Sequence, residues 1–269
     1  MNFNYINTSL DRDSKILKFQ FPQELKKKIN LAIPKEGVNL EQIYKDCEMV
    51  MTYSVKTAHP RNFNQISQGL DMISLAGEWV TGTCNTNMFT YEVAPIFNLI
   101  ERATLDKMAK LCGWVDHGDG LFAPGGSICN LYAAESALHY YFPETKENGL
   151  FEMQKLIIFT SAHGHYSMHR AAAILGLGLD NVRDVPVDES GRMLPEALDR
   201  MILECLGNNE VPFLVACTSG TTVLGAFDPI DRIAKVCKKY KLWLHVDAAW
   251  GGGALLSKKH KHLMQGIEL

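Results

Sequence analysis

Apolar and polar positions change rhythm along the 269 residues. Residues 1–83 carry mainly helical patterning around an irregular, polar middle (HPRNFNQISQG, 59–69) and read as a separate N-terminal helical segment, with residues 84–269 as a second domain. From about residue 105 the pattern alternates. TLDKMAKLCGW (104–114) has the spacing of the end of an amphipathic helix, and GGS (125–127) leads into a helical run to Phe142. KLIIFTS (155–161) and FLVACTS (213–219) are short apolar runs with the length of buried strands. Helices are expected over SMHRAAAILG (167–176), with Ser167 as its cap, and over PEALDRMILECL (195–206). Another follows Asp228-Pro229, with Asp228 as its cap and Ile230, Ile233, Val236 and Cys237 on its apolar face. Leu242, Trp243, Leu244 and Val246 then predict a strand buried on both faces. Strands alternating with helices of this length predict an α/β fold, a mostly parallel sheet covered by helices. Ligands of such sheets sit beyond the carboxyl ends of the strands. Asp247, Thr221-Thr222, the HGHYS segment and the GGS turn all fall at such ends.

Asp247 is the unusual member, a carboxylate ending an apolar strand just before Ala-Ala-Trp and three glycines. A buried charge costs several kcal/mol unless something positive or hydrogen-bonding meets it. A protonated pyridine nitrogen would do so, as in pyridoxal 5'-phosphate (PLP), where an acidic partner keeps the ring an electron sink. That reading predicts a small-residue turn at a helix N-terminus for the phosphate, a flat side chain over one ring face and a small residue under the other. GGSICN (125–130), His163 or His165, and Ala249 supply them. Each feature has a plainer reading by itself. An Asp after a strand serves as a helix cap or metal ligand, and GGS, which is no GxxxxGK[ST] loop, as a tight turn. His163 and His165 share the spacing of a metal pair, but no Cys or acid follows at ligand distance, so no metal is expected. GLGLDN lacks the dinucleotide-binding glycine spacing, and the chain has no GxSxG elbow. Together and in this order, the features favour the cofactor.

Composition narrows the setting. With 27 Lys+Arg against 30 Asp+Glu, a net charge of −3 and basic runs no longer than KKHKH (258–262), nucleic acid is not an expected partner. Seven cysteines without a CxxC pair argue against a disulfide framework and for a reducing, cytoplasmic setting. No apolar run approaches the ~18 residues of a membrane span, and the polar start MNFNYINTSLDRDSK is not a signal peptide.

VPFLVACTSGTTVLGAFDP (211–229) and LWLHVDAAWGGGALLSKKHKHLMQGIE (242–268) resemble the group II pyridoxal-phosphate decarboxylases, and within them the acidic amino-acid branch of glutamate and cysteine sulfinate decarboxylases. TSAHGHYSMHRAAAILGLG, FAPGGSICNLYA and LAGEWVTGTCNTNMFTYEVAP extend the resemblance over almost all of the chain after about residue 40. It implies the large domain of a fold-type I PLP-dependent transferase, here incomplete, usually a homodimer with its sites at the interface. It also implies PLP as cofactor and an acidic amino acid as substrate.

Site roles follow from the same resemblance. Asp247 would pair with the pyridinium nitrogen and Ala249 would lie under the ring. His165 would stack above the ring and help protonate the product. Thr222 would lie near the cofactor hydroxyl and substrate carboxylate, and Ser127, Ile128 and Cys129 would hold the phosphate, Cys129 standing where relatives commonly have serine. Gln65, Ser67, Asn87 and Phe89 match the substrate-selecting pattern of the glutamate enzymes; the sulfinate enzymes tend to have a bulkier residue for Ser67 and Ser-x-Tyr for Asn87-x-Phe89. TSGTTVLG (218–225) is nearer the sulfinate enzymes, and the balance is towards glutamate. Relatives carry the lysine that anchors the cofactor in an Asn-Pro-His-Lys segment, expected beyond Leu269, and Lys258, Lys259 and Lys261 do not occupy its place. The chain taken alone is therefore expected to have little activity, either as a fragment of an active decarboxylase or as a short, catalytically dead isoform.

Overall fold

In the computed structural model, residues 2–64, 66, 67, 69–115 and 118–269 are described, and they divide into two units, Met1–Asn87 and Met88–Leu269. Four helices form the first unit: α1 (Asn2–Leu10), α2 (Pro22–Lys28), α3 (Leu40–Tyr53) and α4 (Met72–Cys84). Asn39 and Asp71 cap α3 and α4 by accepting from the N–H groups of Gln42 and Ser74 at 2.9 and 2.8 Å. The start of the unit is tied to the segment after α3 through Lys56 Nζ, which donates to Thr8 O and Ser14 Oγ, and His59, whose Nε2 lies 3.0 Å from Ser14 O. Among the described residues, no helix is long and apolar enough to cross a membrane.

The second unit opens with α5 (Pro95–Cys112), α6 (Gly126–Tyr141) and the single turn α7 (Thr145–Asn148). Strands and helices then alternate as β1 (Leu156–Ser161), α8 (Ser167–Ile174), β2 (Val182–Val185), α9 (Pro195–Gly207), β3 (Val211–Thr218), α10 (Ile230–Tyr240) and β4 (Trp243–Asp247), followed by two short 3-10 turns. The strands form one parallel sheet in the order β2-β1-β3-β4. From β1 the chain steps outward to β2, then returns across β1 to β3 and on to β4. Because such crossovers are right-handed, the reversal sends α8 to one face and α9 and α10 to the other. The core follows that split. Ile157, Phe159, Val215 and Cys217 pack with Leu198 and Ile202 of α9 and Ile233 of α10. Leu156, Ile158, Leu214 and Ala216 pack with Ala134 and Leu138 of α6 and Met168 and Ala171 of α8. The sheet is thus sandwiched between helices, and the carboxyl ends of all its strands meet at one edge.

Alternation along β1 is regular, but β3 carries one extra residue. Ile157 pairs with Pro212 and Ile158 with Leu214, so Phe213 has no register partner on β1 and joins Leu214 on the α6 face. Pro212 has no N–H to give the ladder, so the irregularity falls where the hydrogen-bond pattern is already broken.

Three sequence expectations need correction. β4 is half-buried along its length, not buried on both faces, because β3 is its one described neighbour in the sheet. Pro229 takes the N-cap position of α10, while Asp228 turns inward, its carboxylate accepting from Met193 N at 2.6 Å and Thr218 N at 2.7 Å. Ser167 is the first residue of α8 rather than its cap, since its hydroxyl is engaged across the helix interface. The strand β2 was missed, four residues being too few to set a period.

Burial pushes the Asp228 carboxyl above its ordinary value, against the two N–H bonds that pull it down. Asp228→Ala leaves both buried N–H groups unmet and is expected to lower stability by about 2–5 kcal/mol, read as an earlier urea midpoint. Asp228→Asn, which keeps one acceptor oxygen, should lose roughly half of that.

Candidate cofactor site

Strand alternation sets the site. Trp243, His245 and Asp247 occupy alternate positions of β4, and Leu244 and Val246 pack into the α9/α10 core. His245 and Asp247 therefore face α6. On α6 the buried positions are Asn130, Ala134, Ala137 and Leu138, one helical stripe with an amide at its head. Asn130 is 2% exposed. Its Nδ2 donates to Asp247 Oδ2 at 2.8 Å and to Ser167 Oγ at 2.7 Å, and its Oδ1 lies 2.7 Å from His245 Nε2. Ser167 Oγ is in turn 2.8 Å from His165 Nδ1, which also receives the Ser167 N–H at 3.2 Å. The other Asp247 oxygen, Oδ1, accepts from Ala249 N at 3.1 Å. One connected network thus runs from the loop after β1 to the end of β4.

The N-terminus of α6 adjoins this network. Its N-cap, Gly125, has φ of 96° and offers no side-chain cap. Ile128 N and Cys129 N bond back to Gly125 O at 3.1 and 3.2 Å, while among the described residues Gly126 N and Ser127 N have no partner. Open N–H groups at the positive end of a 16-residue helix suit an anion. A Cβ on Gly126 would come within 3.3 Å of Ala249 Cβ, so this end of the helix lies against the residue that follows Asp247 by two. Beyond β3, the loop 219–227 doubles back, with Thr221 N bonded to Ala226 O and Thr221 Oγ1 accepting from Ala226 N. Gly220 fits there with φ of 88°, and any Cβ would meet Trp250 Cε3 at 2.6 Å.

The expected site residues are placed as follows. Asp247, Ala249, His165 and Ser127 gather around the ends of β1, β4 and α6. His163, the other candidate for the flat group, is exposed and near Gly191, whose Cβ would lie 2.9 Å from its Nδ1. Of the three phosphate residues, Ser127 keeps its N–H open, whereas those of Ile128 and Cys129 are engaged by Gly125; Cys129 itself is exposed. Thr222 is exposed in the 219–227 loop. Gln65 lies outside the described residues, Ser67 and Asn87 are exposed in the first unit, and Phe89 is 91% exposed in the second. Sequence reasoning missed Asn130, Ser167 as a network member, and His245. The signals were a lone amide on the apolar stripe of α6 and the His-x-Asp alternation on β4.

These residues fit PLP: an acid at a strand end, uncapped N–H donors beside it, and an imidazole joined to the acid through buried hydrogen bonds. Burial lowers the pKa of His245, against the opposing pull of the Asp247 charge. Neutral His245 therefore contributes stability that is present above the ordinary imidazole value of 6.5 and is lost as the pH falls below it. The melting temperature should drop between about pH 7.5 and pH 5.5, and His245→Gln, which keeps a donor without a titrating ring, should flatten that drop.

Residues 22–269 match the family model of the pyridoxal-dependent decarboxylase conserved domain. The structure of mouse CSAD superposes with a TM-score of 0.96 at 48% identity, over 99% of this chain and 56% of that one. The glutamate decarboxylase domain of diaminobutyrate-pyruvate transaminase and L-2,4-diaminobutyrate decarboxylase from Vibrio parahaemolyticus superposes with a TM-score of 0.89 at 25% identity, over 99% and 60%. Oryza sativa TDC with PLP and tryptamine shares the fold, with a TM-score of 0.83 at 21% identity, over 99% and 59%. The chain thus spans between 56% and 60% of the length of these three structures. With nearly its whole length matched by the family model, this chain belongs to the pyridoxal-dependent decarboxylase family.

Proposed function

We propose that these residues form the cofactor-holding part of a PLP-dependent carboxy-lyase acting on an acidic amino acid. The observation that carries the reading is the convergence of Asp247, the open N–H groups of Gly126 and Ser127, and His165 on one edge of the sheet. When bound, PLP supplies an electron sink for the pair left on the α-carbon as CO₂ departs. The chain's own residues do the rest. Asp247, its two oxygens already oriented by Asn130 and Ala249, would accept the ring N–H. Gly126 N and Ser127 N would hold the phosphate, with Ile128 and Cys129 shaping the turn behind them. Ala249 would leave room for the ring on one face, His165 would cover the other and hold a proton for the product, and Thr222 would serve the substrate carboxylate.

Ser67 and the Asn87-x-Phe89 pattern support L-glutamate as substrate, giving 4-aminobutanoate, with Gln65 and Phe89 among the selecting residues. The 48% identity to mouse CSAD and the TSGTTVLG segment support cysteine sulfinate, giving hypotaurine; aspartate, giving beta-alanine, is the third acidic candidate. A homodimer goes with the resemblance, and a cytoplasmic setting with seven free cysteines.

A hybrid chain in which these residues replace their counterparts in mouse CSAD tests the reading. It should release CO₂ from at least one of L-glutamate, L-cysteine sulfinate and L-aspartate, and the preferred one names the branch. His165→Asn should lower kcat by about 10²–10⁴-fold, and Asp247→Asn should do at least as much. A fully active Asp247→Asn hybrid would sink the proposal. In the 269-residue chain itself, exposed Lys258, Lys259 and Lys261 should be labelled no more than the other exposed lysines when PLP is added and reduced with borohydride.

A further inference from the structure

Ser167 and His245 are the two members of the network to which the proposed chemistry gives no part, and the hydrogen bonds that join them to Asn130 fix more than position. At neutral pH an aspartate carboxylate only accepts, so the Asn130 atom 2.8 Å from Asp247 Oδ2 is the donor Nδ2. Oδ1 therefore faces His245, and His245 Nε2, 2.7 Å away, must carry a proton. The second Asn130 amide proton goes to Ser167 Oγ, which leaves the serine's own proton for His165 Nδ1. The Ser167 backbone N–H, able only to donate, meets the same Nδ1. His165 Nδ1 is thus bare, and its ring proton sits on Nε2, for which no described residue is a hydrogen-bond partner. Turning the amide over would set its oxygen against the Asp247 carboxylate and its NH₂ against His245 Nε2.

We propose that Asn130 is a positioning residue whose buried amide sets the protonated nitrogen of His245 directly and, by turning the Ser167 hydroxyl towards Nδ1, reinforces that of His165, so that His165 faces the site with its proton on Nε2. One element, α6, thereby couples the acid at the end of β4 to the imidazole after β1. Every proton of the amide and hydroxyl is assigned, which is the condition under which a buried polar network specifies one arrangement. The hydrogen-bond assignment stands on this chain alone. Its consequence, that the proton-bearing nitrogen of His165 is the one free to deliver, rests on the decarboxylase reading.

Histidine ¹⁵N spectra of the 269-residue chain without PLP report the protonated nitrogen of each ring, with His165→Gln and His245→Gln spectra assigning the signals. Both rings should give the pure Nε2–H pattern, without the Nδ1–H component of a freely exchanging imidazole. Asn130→Leu should restore mixing at His245 and, with the Ser167 N–H still on Nδ1, add only a minor Nδ1–H share at His165, while Ser167→Ala should disturb His165 alone. An asparagine with a merely structural role would change the melting temperature and leave both ring patterns as they were. Nδ1–H at either ring of the unmodified chain, or a pure pattern surviving at His245 in Asn130→Leu, overturns the proposal. Should Asn130→Leu fail to fold, the unmodified chain and Ser167→Ala decide it. PLP titration, read by tryptophan fluorescence, is independent. Correct ring patterns without PLP binding would count against the cofactor reading and leave this one intact.

Discussion

An asparagine side chain has two amide protons and one oxygen, and here each is taken by a different residue: Asp247 and His245 on β4, and Ser167 at the start of α8. The rest of the site depends on that division. Without the amide, the carboxylate would keep one donor, Ala249 N, His245 would lose its acceptor, and the Ser167 hydroxyl that meets His165 would lose its donor. Leaving a buried carboxylate or amide unmet costs about 1–3 kcal/mol or more, so the three elements hold each other in one relative placement. The network is therefore both a fastening of α6 and α8 to the end of the sheet and the origin of the site's electrostatic layout.

The sheet supplies the other requirement. Because the chain leaves β1 in one direction and reaches β3 and β4 in the other, the loops after β1 and β3 part to opposite faces and open a crevice between them. His165 follows β1, the 219–227 loop follows β3, and Asp247 ends β4. The α6 N-terminus arrives at the same edge against Ala249. Charge placement and topology coincide, which is why weak sequence signals far apart in the chain belong together.

Much of this could be read from the residues. Apolar runs and helical periods located β1, β3, β4 and the helices between them, since burial on both sheet faces writes itself into composition. Asp247 stood out because a carboxylate contradicts its apolar strand. What escaped was local competition for side chains. Ser167 and Asp228 are good helix caps in isolation, but a buried amide and two buried N–H groups claim them first. Asn130 escaped because its partners are 37, 115 and 117 residues away, and no spacing rule reaches that far. The engaged N–H groups of Ile128 and Cys129 were equally invisible, being decided by how tightly the first turn of α6 closes on Gly125.

Strand parity has a consequence for how such a chain can change. His245 and Asp247 face α6 only because they stand two and four positions after Trp243, and β3 runs in unbroken register beside them from Leu214 to Thr218. One residue inserted at Leu244 would swing both ionisable groups into the oily layer under α9 and α10 and bring Val246 to the site. The strands can therefore exchange side chains of similar size with modest effect, yet cannot gain or lose a single residue near their carboxyl ends. Loops, which carry no such parity, are where a change in length costs least.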